Sequence, residues 1–254
     1  MVLNTDWVRL LVVCVVFTAV ACAIARFTGL TSPRPFLTAA ARAALQLAAV
    51  SAVITVVLRH LGLTWAFLVV MVVVATATSA RRTRAGRKGV WVAAAILVGT
   101  VPALGFLLAI GLLPAEGISL IPVGGILIGG AMTATTLSAR RALDTLHDRY
   151  GEYEAARAMG LRERDAVRLI VRRPSAEALL PPLDQTRTVG LVTLPGAFVG
   201  MLLGGAPVWQ AGALQIVVLL ALLAVEAAAV ATVVELVARG LIRRASPEAE
   251  VRLT

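Results

Sequence analysis

The sequence is poor in the residues that most enzymes use. Among its 24 basic residues Lys88 is the only lysine, and it stands in "GRKGV", which does not fit the GxxxxGK[ST] loop that cradles nucleotide phosphates. ATP is therefore not bound by this chain through such a loop. His60 and His147 are the only histidines, and neither HExxH nor GxSxG occurs, which excludes the recognisable metalloprotease and serine-hydrolase constellations. Cys14 and Cys22, the only cysteines, are eight residues apart. That is about 12 Å along a helix, too far to bridge, so they read as small apolar packing residues and say nothing of redox compartment. No repeat at a solenoid period and no low-complexity tract is visible. Acidic residues are few, 14 against 24 basic, giving a net charge of +10.

What is abundant is apolar sequence. The chain of 254 residues is 59% hydrophobic, with a mean hydropathy of +0.89. Several runs reach the ~20 residues that a helix needs to cross the hydrocarbon core. Runs such as "WAFLVVMVVVATATSA" are apolar on every face, whereas barrel strands would alternate, so the fold class is all-α and the protein a polytopic membrane protein. The first stretch, "LLVVCVVFTAVACAIA", is longer than a signal-peptide core and lacks a basic region before it, which makes it the first span. Seven spans are expected, at about 7–25, 38–58, 63–80, 90–112, 121–138, 188–204 and 210–237. They form one transmembrane domain over 1–254, with a cytoplasmic insertion at 139–187 between the fifth and sixth.

The positive charges set the orientation. With the N-terminus outside, the inner segments hold Arg26 and Arg34, then Arg81, Arg82, Arg84, Arg87 and Lys88, then ten Arg from 140 to 187, and finally Arg239, Arg243, Arg244 and Arg252. Only Arg9 and Arg59 remain outside, and Arg42 lies within a span. The positive-inside rule thus places the C-terminus in the cytoplasm of a plasma or inner membrane. The surplus charge reflects topology and anionic lipid, and does not call for nucleic acid.

The long inner segment carries a distinct pattern. Leu143, Leu146, Tyr150 and Tyr153 recur at helical spacing, so the fifth span should continue inward until about Gly151. "EYEAARAMG" follows as a short helix capped by Gly160, and "LRERDAVRLIVRRP" as a second that ends before Pro174. A solvated basic loop is the plainer reading. Small Ala and Gly residues flanked by a carboxylate and Arg also suit a helix seated in a partner's groove.

Polar residues inside the spans are the other candidates. Gln46 lies one turn after Arg42 in the second span. Gln215 and Glu226, eleven residues apart, fall within about 20° of each other on one face of the last span. A carboxylate near the bilayer midplane costs about 2.5 kcal/mol or more, so Glu226 should face the bundle interior and be paired or protonated, as a substrate or proton site or as a structural group. Glu235 is expected to pair with Arg239 at i,i+4. Gly124, Gly125, Gly129 and Gly130, and again Gly196, Gly200 and Gly204, sit one turn apart, a pattern that lets helices approach closely in lipid. Pro195 removes a donor from the sixth span. Two short, broken helices in spans five and six would suit a pathway.

Glu154, Ala155, Ala156 and Gly160 reproduce the EAAxxxG core of the coupling loop in ABC importer permeases, with Ile170 at its later Ile position. Arg172 and Arg173 stand where that motif ends in Leu-Pro. "GLVTLPGAFVGMLLGGAPVWQAGALQI" and "IPVGGILIGGAMTATTLSARRAL", with "RAALQLAAV" in the second span, resemble blocks of the iron-export (Fet-type) ABC transporter permease family, related to plant aluminium-tolerance membrane subunits. The resemblance covers about residues 38–237, and Leu194, Pro195, Gly196, Gly200, Leu203, Gly205, Ala206 and Pro207 carry its most specific block.

It implies a non-enzymatic permease that exports a metal ion, pairs with a separate ATP-binding subunit and forms a homodimer. Coupling would fall to Glu154, Ala155, Ala156, Arg157 and Gly160. The pathway would involve Gln46, Pro122, Gly125, Gly129, Pro195, Gly196, Gly200, Gln215 and Glu226, with no cofactor on this chain and ATP on the partner. The chain departs from the family at Gly130, where Asn is common, and in "PGAFVGM", where "PGMMTGQ" is usual; iron as the substrate is thereby put in question. A proton-coupled secondary transporter dependent on Glu226 and a non-transport assembly protein are the alternatives.

Overall fold

The computed structural model describes residues 7–83 and 89–243; Arg84, Arg87, Lys88, Arg244 and Arg252 of the charge pattern lie outside them. The described residues are almost wholly helical, in the order α1 (Trp7–Thr28), α2 (Arg34–Arg59), α3 (Leu61–Thr83), α4 (Trp91–Ala109), α5 (Gly117–Asp148), α6 (Tyr150–Ala158), α7 (Glu163–Ala176), α8 (Leu180–Thr188), α9 (Gly196–Leu203) and α10 (Val208–Ala238). Six of these, α1 to α5 and α10, are long and apolar enough to cross a membrane.

The chain falls into two compact units, divided between Arg59 and His60. In the first, α1 and α2 form a helical pair with Val, Leu and Phe side chains exposed along both. Apolar surface of this extent suits lipid or another apolar protein face. The turn between them is closed by Leu37 N–H donating to Pro33 O (3.3 Å) and by a weak Cys22 Sγ contact to the same oxygen (3.7 Å).

The second unit is built around α5 and α10, which pack on each other and on α4, while α3 covers the other side of α5. Ile96, Leu120, Leu127, Val225 and Val233 are almost fully enclosed there. Lipid tails are as apolar as these side chains, so association depends on close packing more than on escape from water. Missing side chains supply that closeness. A Cβ on Gly99 of α4 would lie 2.8 Å from Val225 O, and one on Gly124 of α5 would lie 2.7 Å from Leu68 Cδ2 of α3. One buried hydrogen bond, Thr136 Oγ1 to Ser79 Oγ at 2.9 Å, joins α5 to α3; such bonds contribute about 0.6 kcal/mol on average.

Three local expectations are revised. The fifth span is not broken: α5 continues for 32 residues through Pro122, the sixth residue of the helix, where the missing donor deprives the Ile118 carbonyl of its i+4 partner without ending the helix. Its C-terminal end falls at Arg149 (φ −108°, ψ 30°), and Gly151 lies inside α6. α7 runs through Pro174 to Ala176 and passes by a 3₁₀ turn, Glu177–Leu179, into α8.

The sixth span, expected as one helix over 188–204, is not a continuous helix: α8 ends at Thr188, and only the eight-residue α9 falls within it, too short to be among the six membrane-length helices. Between them the chain turns at Gly190 (φ +84°), whose N–H donates to Thr193 O at 2.8 Å. Pro195 then caps α9 instead of kinking it.

Candidate functional site

A half-open cavity of about 350 Å³ lies among α5, α8 and α10, and Glu226 is on its wall. From α5 it receives Gly129, Gly130 and Thr133, and from the α8 segment Pro181, Pro182 and Gln185. The local cause is the α5 sequence. A Cβ on Gly130 would fall 2.5 Å from Glu226 Oε1, so the missing side chain makes the room in which the carboxylate sits against this helix. Glu226 is 6% exposed, and among the described residues no cationic side chain pairs with it. It stands twelve residues before Ala238, the end of α10, or about 18 Å along the axis.

The other predicted pathway residues are dispersed. Gln215 is buried on the same helix and its Oε1 has no hydrogen-bond partner, but it does not line the cavity. Gly125 faces Met71, whose Cε would lie 3.0 Å from an added Cβ, while Pro122 is exposed near the start of α5. Gln46 is exposed on α2 in the first unit. Pro195 is half-buried, and Gly196 and Gly200 are exposed, with open space where a side chain would be. The cavity therefore gathers Gly129 and Glu226 from the predicted set. Gln185, Thr133 and the tandem Pro181-Pro182 are additions; the prolines, next to "DQT", were the available signal of an interrupted helix.

The second element is the helical knob of α6 and α7. Ala156 is buried while Glu154, Ala155, Arg157 and Gly160 are exposed. Gly160 adopts φ +91°, and the turn is closed by Leu161 N–H to Ala156 O at 3.2 Å and by Arg157 Nη1 to Leu161 O at 2.6 Å. A side chain there would be strained. At the start of α6, Arg149 Nε donates to Glu152 at 2.6 Å, and this hydrogen bond holds the Glu152 carboxyl below its usual range. Tyr150 and Tyr153 stack with ring centres 5.4 Å apart beside a second cavity of about 380 Å³ under the knob.

α7 is attached to α10 on two levels. Ala166, Val167, Ile170 and Val171 make a buried stripe against α5 and α10. At its edge Glu235 of α10 forms an ion pair with Arg164 at 2.5 Å and accepts hydrogen bonds from Arg168 and Arg239. Pairing with Arg239 is as expected; the two α7 arginines, one turn apart, are new. Glu163 with Arg243 and Arg141 with Glu177, each at 3.4 Å, add exposed pairs.

Comparison with known proteins places these features in a lineage. The sequence profile of the "Uncharacterised protein family (UPF0014)" matches residues 8–242. The rice (Oryza sativa subsp. japonica) "UPF0014 membrane protein STAR2" is 36% identical over 208 residues, 81% of this chain and 72% of that protein. "Protein ALUMINUM SENSITIVE 3" of Arabidopsis thaliana is 35% identical over 181 residues, 70% of this chain and 66% of that one. The Escherichia coli (strain K12) "Probable iron export permease protein FetB" is 30% identical over 129 residues, 51% of this chain and 50% of that one. No solved structure matches the chain.

Proposed function

The chain belongs to the UPF0014 family of membrane proteins, and from that premise we propose that it is the membrane-spanning permease subunit of an ATP-driven exporter of a metal ion. Its ATP would be hydrolysed by a separate subunit, since Lys88 offers no phosphate loop. The observation that carries the proposal is the joint at Glu235. It ties the α6–α7 knob to the helix that also bears Glu226, nine residues or about 14 Å away.

In this reading the N-terminus is outside and the knob and C-terminus are cytoplasmic, in a plasma or inner membrane. The exposed face of Glu154, Ala155, Arg157 and Gly160 receives the ATP-binding subunit. Closure of two such subunits on a homodimer pushes each knob, α7 carries the push to α10 through Glu235, and Glu226 shifts against α5 and α8. Metal export is supported by the name of the E. coli relative, which speaks of iron export. Gly130, and Ala197, Phe198 and Met201 in α9, leave this chain without donors that the family resemblance implies, so the ion is left as a metal without naming iron.

Retention of an ATPase by the detergent-solubilised protein tests the proposal, with the knob intact and with Gly160→Val or Glu154→Arg. The intact protein should retain the ATPase and stimulate it, and the variants should lose most of the stimulation. Retention of no ATPase in any form, or external labelling of residues 152–173, ends the reading. The unpaired carboxylate of Glu226 favours one rival, a proton-coupled transporter. That rival predicts flux driven by a pH gradient in vesicles holding this chain alone.

A further inference from the structure

The cavity at Glu226 has a donor chemistry of its own, and its consequence rests on the permease reading above. Glu226 is a carboxylate with 6% exposure and no cationic partner among the described residues, on a helix that crosses the membrane. Burial of such a group in its charged form is unfavourable unless an opposite charge arrives, and a metal cation can supply it in place of a proton.

The neighbouring polar atoms are oxygens suited to a cation. The Thr133 hydroxyl uses its proton on Gly129 O at 3.0 Å, so its lone pairs remain available to a ligand. Gln185 contributes a side-chain amide at the rim. Ala178, buried on the wall, has a main-chain carbonyl of an unusual kind. The residues three and four positions later, whose N–H groups would close a 3₁₀ or an α bond to it, are Pro181 and Pro182. Neither has an N–H. A carbonyl released by a helix interruption is a recurrent cation ligand in membrane proteins.

What the wall omits is equally telling. No Cys, His or Met lines it, and it has no aromatic ring to receive an organic cation. Among the described residues no three His, Cys, Asp or Glu side chains converge anywhere, so a closed cage that strips an ion bare is not built. A cavity of about 350 Å³ instead accommodates an ion that keeps much of its water, each water occupying about 30 Å³.

We propose that the α5–α8–α10 cavity is a binding site for hard, oxygen-seeking metal cations, held partly hydrated by the Glu226 carboxylate, the Thr133 hydroxyl, the Gln185 amide and the Ala178 carbonyl. One carboxylate with neutral oxygens binds weakly enough to release its cargo, as a transport site must. Soft, thiophilic cations find no ligand there.

Equilibrium dialysis of the full chain in detergent, without any ATPase, tests this with Tb³⁺ and Mn²⁺ as hard probes and Cd²⁺ as the soft one. Tb³⁺ and Mn²⁺ should each bind saturably, and Cd²⁺ should bind at least about tenfold more weakly. Glu226→Gln, nearly isosteric, should weaken Tb³⁺ and Mn²⁺ binding by at least about tenfold, and Gln185→Leu, on an exposed helix face, by about threefold. Equal or tighter Cd²⁺ binding, or binding of the hard probes unchanged in Glu226→Gln, overturns the proposal. ATPase retention is scored separately: retention without ion binding removes this site and leaves the permease reading, and ion binding without retention does the reverse.

Discussion

Two glycine-rich stretches, in α5 and α9, look alike as sequence and behave differently in the fold. In α5, Gly124 is pressed by Leu68 of α3, and Gly130 by Leu222 and Glu226 of α10. In α9, Gly196 and Gly200 meet nothing within 4 Å, although the helix lies along α10. A run of small residues permits close approach and does not cause it. The difference lies in the length of the helix that carries the glycines. α5 has 32 residues between two neighbours, whereas α9 has eight and buries none of them.

Substitutions should separate the two regions. The largest effect is expected where the missing side chain faces backbone: Gly99→Ala puts a Cβ 2.8 Å from Val225 O, which cannot swing aside. A loss of about 1–3 kcal/mol should appear in the thermal unfolding midpoint in detergent. Gly130→Ala meets side-chain atoms, including Glu226 Oε1 at 2.5 Å; a stability loss of about 1 kcal/mol should accompany a large loss of transport in vesicles. Should Gly200→Ala cost as much as either, the contrast between α5 and α9 would collapse.

Smaller effects follow. Glu235→Gln leaves three arginines without their shared carboxylate. Stability should fall by about 1 kcal/mol or less, while stimulation of the partner ATPase drops sharply, a split that separates a joint from a packing contact. Gly200→Ala should be neutral or stabilising by up to about 1 kcal/mol, because alanine favours helix and nothing opposes it.

The smallest effect concerns pH. Arg149 holds Glu152 below the ordinary 4.5. A lowered folded-state value means that the contribution is complete above about 4.5 and disappears as pH falls through the lower folded value. Protection of the amides in the first turn of α6, taken relative to their intrinsic exchange rate at each pH, should therefore fall on acidification in the wild type and change less in Glu152→Gln.

Much of this architecture was legible in the residues. Continuous apolar runs mark α1 to α5 and α10, because only a helix satisfies its own backbone in lipid. Gly160 announced the end of α6, since its left-handed conformation is local. The apolar run over 188–204 does not form a sixth long helix, because Gly190 and Pro195 interrupt it, and nothing in the polar "LPPLDQTRT" announces that α8 shares a cavity with Glu226. Arg168 and Glu235 are 67 residues apart, and no local pattern could have joined them.

Helix type, the long apolar helices, the need to shield Glu226 from lipid and the Glu235–Arg239 pair were determined by the sequence itself, because each depends on hydrogen bonds, charge or solvation within one segment. The tertiary structure decided which glycines are in contact, which oxygens surround Glu226, and that α7 holds α10 through two further arginines. Those outcomes depend on distances between segments far apart in the chain, and the packing of long helices sets them.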